Sequence, residues 1–127
     1  MLRIHHLAIV VRDLDAAERF YSGLLGLPVK ERWEGPDGQP RSVWVALSDG
    51  GFLALEKASA ADPKRSDQAP GLHCLALGIP RRDRETYRDK LTSAGFPIEH
   101  ETHFTLYVRD PDGNLIGFSH YPDGIYG

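Results

Sequence analysis

Seven side chains in this sequence carry chemistry and fall at positions where β-strand alternation puts them together: His6, Trp44, Phe52, Glu56, His73, His103 and Tyr107. Strand side chains alternate between two faces, so residues i and i+2 share one. In the run from Arg3 to Val11, Leu7, Ile9 and Val11 form the aliphatic face, and His6, Ala8 and Val10 the other. In Phe52–Lys57, Leu53 and Leu55 oppose Phe52, Ala54 and Glu56; in Ser42–Leu47, Ser42, Trp44 and Ala46 form the less aliphatic face. In His103–Arg109, Phe104, Leu106 and Val108 point one way, and His103, Thr105 and Tyr107 the other. In Leu115–His120, Ile116 and Phe118 face the core, leaving Leu115, Gly117 and Ser119. If the aliphatic faces pack on helices, the opposite faces line one concave surface. Imidazole, carboxylate, phenol and aromatic rings together are the lining of a small-molecule pocket, not of a core.

The elements that must position these residues follow from periodicity and turn chemistry. Asp13 predicts a helix N-cap, followed by Leu14, Ala17, Tyr21, Leu24 and Leu25 on one helical face and by Gly26 as a C-cap. Strands are predicted at Val29–Trp33, Ser42–Leu47 and Phe52–Lys57, with turns at Gly35–Gly38 and Asp49–Gly51. Residues 58–70 lack any period and read as a linker. The pattern then restarts with a strand at Leu72–Ile79, a helix at Asp83–Ala94 closed by Gly95, strands at Ile98–Glu101 and His103–Arg109, a turn at Asp110–Asn114 and a strand at Leu115–His120.

Both halves therefore read strand, helix and three strands. Gly26-Leu27-Pro28-Val29 matches Gly95-Phe96-Pro97-Ile98, and Asp49-Gly50 matches Asp112-Gly113. Such matches predict one supersecondary unit used twice, with module 1 at about 2–57 and module 2 at about 71–121 of a single domain, 1–127. The repeat sets His73, Leu75 and Leu77 in register with His6, Ala8 and Val10, turning Cys74 toward the helices.

Composition bounds the function. With 127 residues, 41% hydrophobic and 26% charged, the chain can bury a core. Fifteen Lys and Arg against eighteen Asp and Glu give −3, without the basic excess of a nucleic-acid binder. No apolar run approaches the roughly 20 residues of a membrane span. The N-terminus has no signal-peptide pattern and the one cysteine, Cys74, has no internal partner, so a cytoplasmic location is expected.

The segment His6-Leu7-Ala8-Ile9-Val10-Val11-Arg12-Asp13, with Phe20-Tyr21 and Leu25-Gly26, resembles the first module of the vicinal oxygen chelate superfamily. Asp110-Pro111-Asp112-Gly113-Asn114-Leu115-Ile116 resembles its last hairpin. That superfamily takes in glyoxalase I, fosfomycin- and bleomycin-resistance proteins and extradiol dioxygenases. The resemblance implies an α+β fold of two βαβββ modules, a curved mixed sheet around a cup, and a homodimer. It further implies a metal ligand on the first strand of each module, at His6 and His73, and a carboxylate on the last strand. In module 2 that carboxylate position is Gly117. In module 1, counting from the hairpin gives Ala54, while counting from His6 gives Glu56.

His6, Glu56 and His73 would make a facial triad for a divalent Fe, Zn, Mn, Co or Ni, acting as a Lewis acid on adjacent substrate oxygens. Tyr107 stands where ring-cleaving members carry an active-site tyrosine. His103 can serve as a general acid or base, or lie on the surface. Trp44, Phe52, Thr105 and Ser119 are the expected substrate contacts. Glyoxalase I proper is disfavoured, because its proton transfer needs a base where Gly117 has no side chain; Gly117 would leave room for substrate or water. His5 and His120 are expected to be structural, and Arg81, Arg82 and Arg84 solvated. Two functions stay open: a metal-dependent lyase, isomerase, transferase or dioxygenase on a small oxygen-bearing metabolite, or a metal-free protein that sequesters a drug-like compound.

Overall fold

A computed structural model describes residues 1–59 and 64–125. The chain divides into two compact units, Met1–Lys64 and Arg65–Gly127. The first contains β1 (His6–Val11), α1 (Leu14–Glu18) continued by a π-helical stretch (Arg19–Leu24), β2 (Val29–Glu34), β3 (Pro40–Ala46) and β4 (Phe52–Lys57). The second contains β5 (Cys74–Gly78), a 3-10 turn (Arg81–Asp83), α2 (Arg84–Ser93), β6 (His100–Glu101), β7 (Thr105–Arg109) and β8 (Leu115–Ser119). Each unit folds as a four-stranded mixed sheet, ordered β1-β4-β3-β2 and β5-β8-β7-β6. In both, the first strand pairs parallel with the last and the other neighbours are antiparallel. The expected α+β architecture of two βαβββ modules is thus what the chain forms.

The aliphatic faces assigned from alternation are the buried ones. Val11, Leu53, Leu55, Val43 and Val45 bury with Leu14, Ala17, Phe20 and Tyr21 in the first unit; Ile116, Phe118, Leu106 and Val108 bury with Leu91 in the second. Asp13 caps α1 as expected, its Oδ1 accepting from the amides of Asp15 and Ala16 at 2.9 and 3.2 Å. The helix then widens. Leu25 N donates to Phe20 O at 3.0 Å, a five-residue step. Phe20 and Tyr21 are both buried there, and their rings meet edge to face at 4.8 Å. Glu18 at the junction pairs with Arg32 of β2, tying helix to sheet. That hydrogen bond holds the Glu18 carboxyl below its usual range, so its stabilisation is present at neutral pH and fades as pH falls through that depressed range.

Several predicted boundaries and environments change. β1 begins at His6, not Arg3, because its partner β4 begins at Phe52 and leaves residues 2–5 unpaired; Leu2 and Ile4 are exposed. β5 is likewise shorter than Leu72–Ile79, and β7 starts at Thr105, after His103. Residues 60–63 of the expected linker lie outside the described residues. The rest of it after Lys64 docks on the second unit: Arg65 donates to the carbonyls of Leu72 and His73, and Asp67 pairs with Arg109 at 3.1 Å. Arg84 is not solvated but buried. It donates to Thr102 O at 2.9 Å and to His120 Nε2 at 2.8 Å. Arginine has only donors, so Nε2 accepts and the His120 proton sits on Nδ1, which donates to Asp123 O. His120 is therefore structural, as expected.

The turns preceding β4 and β8 share a sequence pattern but not an energy. Asp110 is buried, and its carboxylate accepts from Asp112 N, Asn114 N and Asn114 Nδ2 at 2.9, 2.8 and 3.0 Å. Among the described residues Asp49 accepts only a long 3.4 Å contact, from Gly51 N. Urea unfolding should show Asp110→Ala losing about 2–4 kcal/mol and Asp49→Ala less than about 1 kcal/mol. Gly117 is a second packing constraint. A Cβ there would lie 3.1 Å from Thr105 Cγ2 and 3.1 Å from Tyr107 Cε1. Gly117→Ala should cost roughly 1–3 kcal/mol in the same assay.

Candidate functional site

Alternation sends one face of each sheet to the helices and leaves the other for chemistry. In the first unit that second face carries an unbroken ladder of rings. Trp33 of β2 lies 5.3 Å from Trp44 of β3. Trp44 stacks on Phe52 of β4 at 4.4 Å, and Phe52 stacks on His6 of β1 at 4.8 Å with the planes 7° apart. The register explains the ladder, since His6 is directly opposite Phe52, and Trp44 opposite Ala54. Lys30, in the β2 bulge, sets its ammonium 5.2 Å from the Phe52 centroid. Trp33 is the member that face sorting of the sequence missed, because the irregularity between Val29 and Glu31 shifts the alternation of β2.

His6 keeps close company with His5. Their Nδ1 atoms are 2.9 Å apart, so one ring donates and the other accepts. His5 also packs edge-on to Phe52 at 5.7 Å, instead of turning to the helix side. It precedes the first paired residue, so strand alternation does not govern it.

Glu56 shares the His6 face but not its neighbourhood. β1 and β4 run parallel with His6 opposite Phe52, so Glu56 lies four residues further on, opposite Val10. That is about 13 Å along the strand. Glu56 instead lines a cleft of about 960 Å³ with Val10, Pro36, Arg41, Lys57 and Ser59.

The second unit differs most from its sequence reading at the start of β5. Cys74 pairs with Leu115 as His6 pairs with Phe52. Phe52 and Leu115 each stand three residues after the matching aspartates, Asp49 and Asp112. The structural equivalent of His6 is therefore Cys74, and His73 corresponds to His5. Leu75 and Leu77 align with Ile116 and Phe118 on the helix side, while Cys74, Ala76 and Gly78 share the face of Gly117 and Ser119. His73 is exposed and precedes the strand. The same register makes Ala54 the equivalent of Gly117, and Glu56 that of Ser119.

Of the other expected residues, Thr105, Tyr107 and Ser119 do share one face. Thr105 Oγ1 donates to Ser119 Oγ at 2.9 Å. Tyr107 stacks with His100 of β6 at 5.9 Å, a neighbour that sequence reasoning left without a role. Thr105 and Tyr107 fill the space over Gly117, so the missing side chain does not open room there for substrate or water. His103 goes elsewhere. Its ring packs on Phe104 at 5.0 Å and against Gly124, where any Cβ would collide with its Nε2.

The residues fit the implied metal set poorly. Two positions of the last strands, Ala54 and Gly117, have no donor atom. Glu56 is displaced from His6, and Cys74 replaces His73 in register. Within either unit, no three His, Cys, Asp or Glu side chains among the described residues form a metal-binding group.

Comparison with known proteins places this arrangement. Residues 3–118 match the family model described as Glyoxalase/Bleomycin resistance protein/Dioxygenase superfamily. A probable lactoylglutathione lyase of Synechocystis is 28% identical over 121 residues, covering 87% of this chain and 89% of the relative. Glutathione transferase FosA of Serratia marcescens is 28% identical over 117 residues, covering 89% and 77%. A solved glyoxalase/dioxygenase from Nostoc punctiforme shares the fold with TM-score 0.77 at 23% identity, covering 95% of this chain and 92% of that one. The chain belongs to the glyoxalase/bleomycin resistance protein/dioxygenase superfamily.

Proposed function

We propose that the first unit binds a flat, conjugated small molecule against its ring ladder, and that it does so without a metal held by His6, Glu56 and His73. The observation that carries this reading is the ladder itself, Trp33–Trp44–Phe52–His6. Its end member Trp33 is 48% exposed, so the stack continues to a free indole face at the surface. Rings that only filled a core would not end on a solvent-facing indole. Small-molecule chemistry is also what the names of the lyase and transferase relatives describe. The donor set argues for binding over metal catalysis, since both last-strand carboxylate positions are occupied by residues without donors. We take the protein as a homodimer, as the family resemblance implies, and as cytoplasmic, where a lone cysteine stays reduced; no helix among the described residues is long and apolar enough to cross a membrane.

The two tryptophans of the chain are both in the ladder, so intrinsic fluorescence reports on it. Titration with naphthalene or quinoline should quench that fluorescence saturably, with the same midpoint before and after exhaustive chelation. Trp33→Ala should weaken binding about three- to tenfold, the worth of one aromatic contact. Metal analysis of the purified protein supplies the opposing result. One divalent ion per chain, lost in His6→Ala together with ligand binding, would replace this reading with the metal-dependent enzyme.

A further inference from the structure

Two polar atoms beside the ring ladder are buried and have no hydrogen-bond partner among the described residues: Ser42 Oγ and Trp44 Nε1. Both lie on the ladder face of β3, two residues apart. Ser42 is only 5% exposed. Buried donors without partners are rare and costly, and call for a specific explanation. The fold does not force this one. In the second unit the equivalent pair is Thr105 and Ser119, and their hydroxyls bond to each other at 2.9 Å. In the first unit the residue opposite Ser42 is Glu56, whose carboxylate makes no hydrogen bond or ion pair among the described residues.

From this juxtaposition we infer that Ser42, Trp44 and Glu56 form a polar edge site that reads a cis-amide, or lactam, edge on the stacked ligand. The inference deepens the stacking proposal and rests on it. The indole N–H can only donate, an ionised carboxylate can only accept, and the serine hydroxyl can do both. A ligand edge that meets all three carries a carbonyl acceptor for Trp44 and Ser42 and an adjacent N–H for Glu56. A lactam ring has those two groups on neighbouring atoms and is flat, as stacking on the ring ladder requires. Spacing agrees. Ser42 and Glu56 face each other at about 5 Å between Cα atoms, with Trp44 about 7 Å further along the same face. The patch is about as wide as a bicyclic ring. Trp33 lies opposite Ser42 on β2 with its ring 5.3 Å from Trp44. In the proposed site this half-exposed side chain turns aside to admit the ligand edge to the two buried donors.

The test compares three probes of one shape on the full chain by tryptophan fluorescence: 2-quinolone, N-methyl-2-quinolone and naphthalene. Wild type should bind 2-quinolone at least tenfold tighter than either other probe. Trp44→Phe keeps a ring but removes the N–H, Ser42→Ala removes the hydroxyl, and Glu56→Leu removes the acceptor. Trp44→Phe and Ser42→Ala should each weaken 2-quinolone and its N-methyl derivative together, bringing both toward naphthalene, whereas Glu56→Leu should bring the ratio between 2-quinolone and its N-methyl derivative to within about twofold. Because Ser42 Oγ bonds to nothing among the described residues, the melting temperature of Ser42→Ala should equal or exceed that of wild type. Equal binding of all three probes by wild type would overturn the edge site and leave stacking in place. A tenfold preference that survives all three substitutions would take it away from these residues. Failure of every probe to bind would overturn the stacking proposal, and the edge site with it.

Discussion

The register of β4 is the constraint on which the first unit depends. This strand is paired on both sides, parallel to β1 and antiparallel to β3, so one residue of slip would turn every side chain of the sheet's centre to the wrong face. The turn at Asp49-Gly50-Gly51 fixes where β4 starts. Gly50 sits at φ +90°, a conformation that side chains rarely adopt. Gly51 passes so close to β1 that a Cβ would lie 3.3 Å from the His5 carbonyl. With β4 anchored there, Phe52 falls opposite His6, and the ladder follows. Leu53 and Leu55 go to the helices for the same reason. Core and binding face are one decision.

Much of this was legible in the sequence, because alternation, caps and turns are local. The helix start at Asp13, the two turns with Asp-Gly, and the aliphatic faces of β1, β4, β7 and β8 needed no tertiary information. What failed was long-range registration. Leu75-Ala76-Leu77 buries equally well in either frame by hydrophobicity, so nothing local separated His73 from Cys74 as the equivalent of His6. The parallel pairing of β5 with β8 decides it, and that pairing links residues about forty apart. Arg84 was read as solvated for a similar reason. Its partners, Thr102 and His120, come from β-structure and turns well downstream, and only their convergence provides two acceptors for a buried guanidinium.

The two units start from the same topology and spend their second faces differently. Equivalent positions hold Ser42 and Thr105, Trp44 and Tyr107, Ala54 and Gly117, Glu56 and Ser119. In the second unit these groups satisfy each other. Thr105 bonds Ser119, and Thr105 with Tyr107 closes over Gly117. In the first unit the corresponding groups are larger, charged or, among the described residues, unpartnered, and Trp33 extends the ring stack to solvent. A polar pair that is internally bonded adds rigidity; the same positions left unbonded retain free valence for a ligand.

That asymmetry separates scaffold from function in a way the family resemblance cannot. The resemblance follows turns, caps and aliphatic alternation, and those features are alike in both units. The donor atoms on the second faces vary independently of them, because a face that does not touch the helices can change without disturbing the core. A chain can therefore keep the superfamily fold while Ala54 and Gly117 stand where carboxylates would hold a metal. The cost of such a change falls only on the chemistry of that face. On the proposed reading, the first unit offers a ligand two things instead: ring area for stacking, and buried polar atoms without a partner among the described residues.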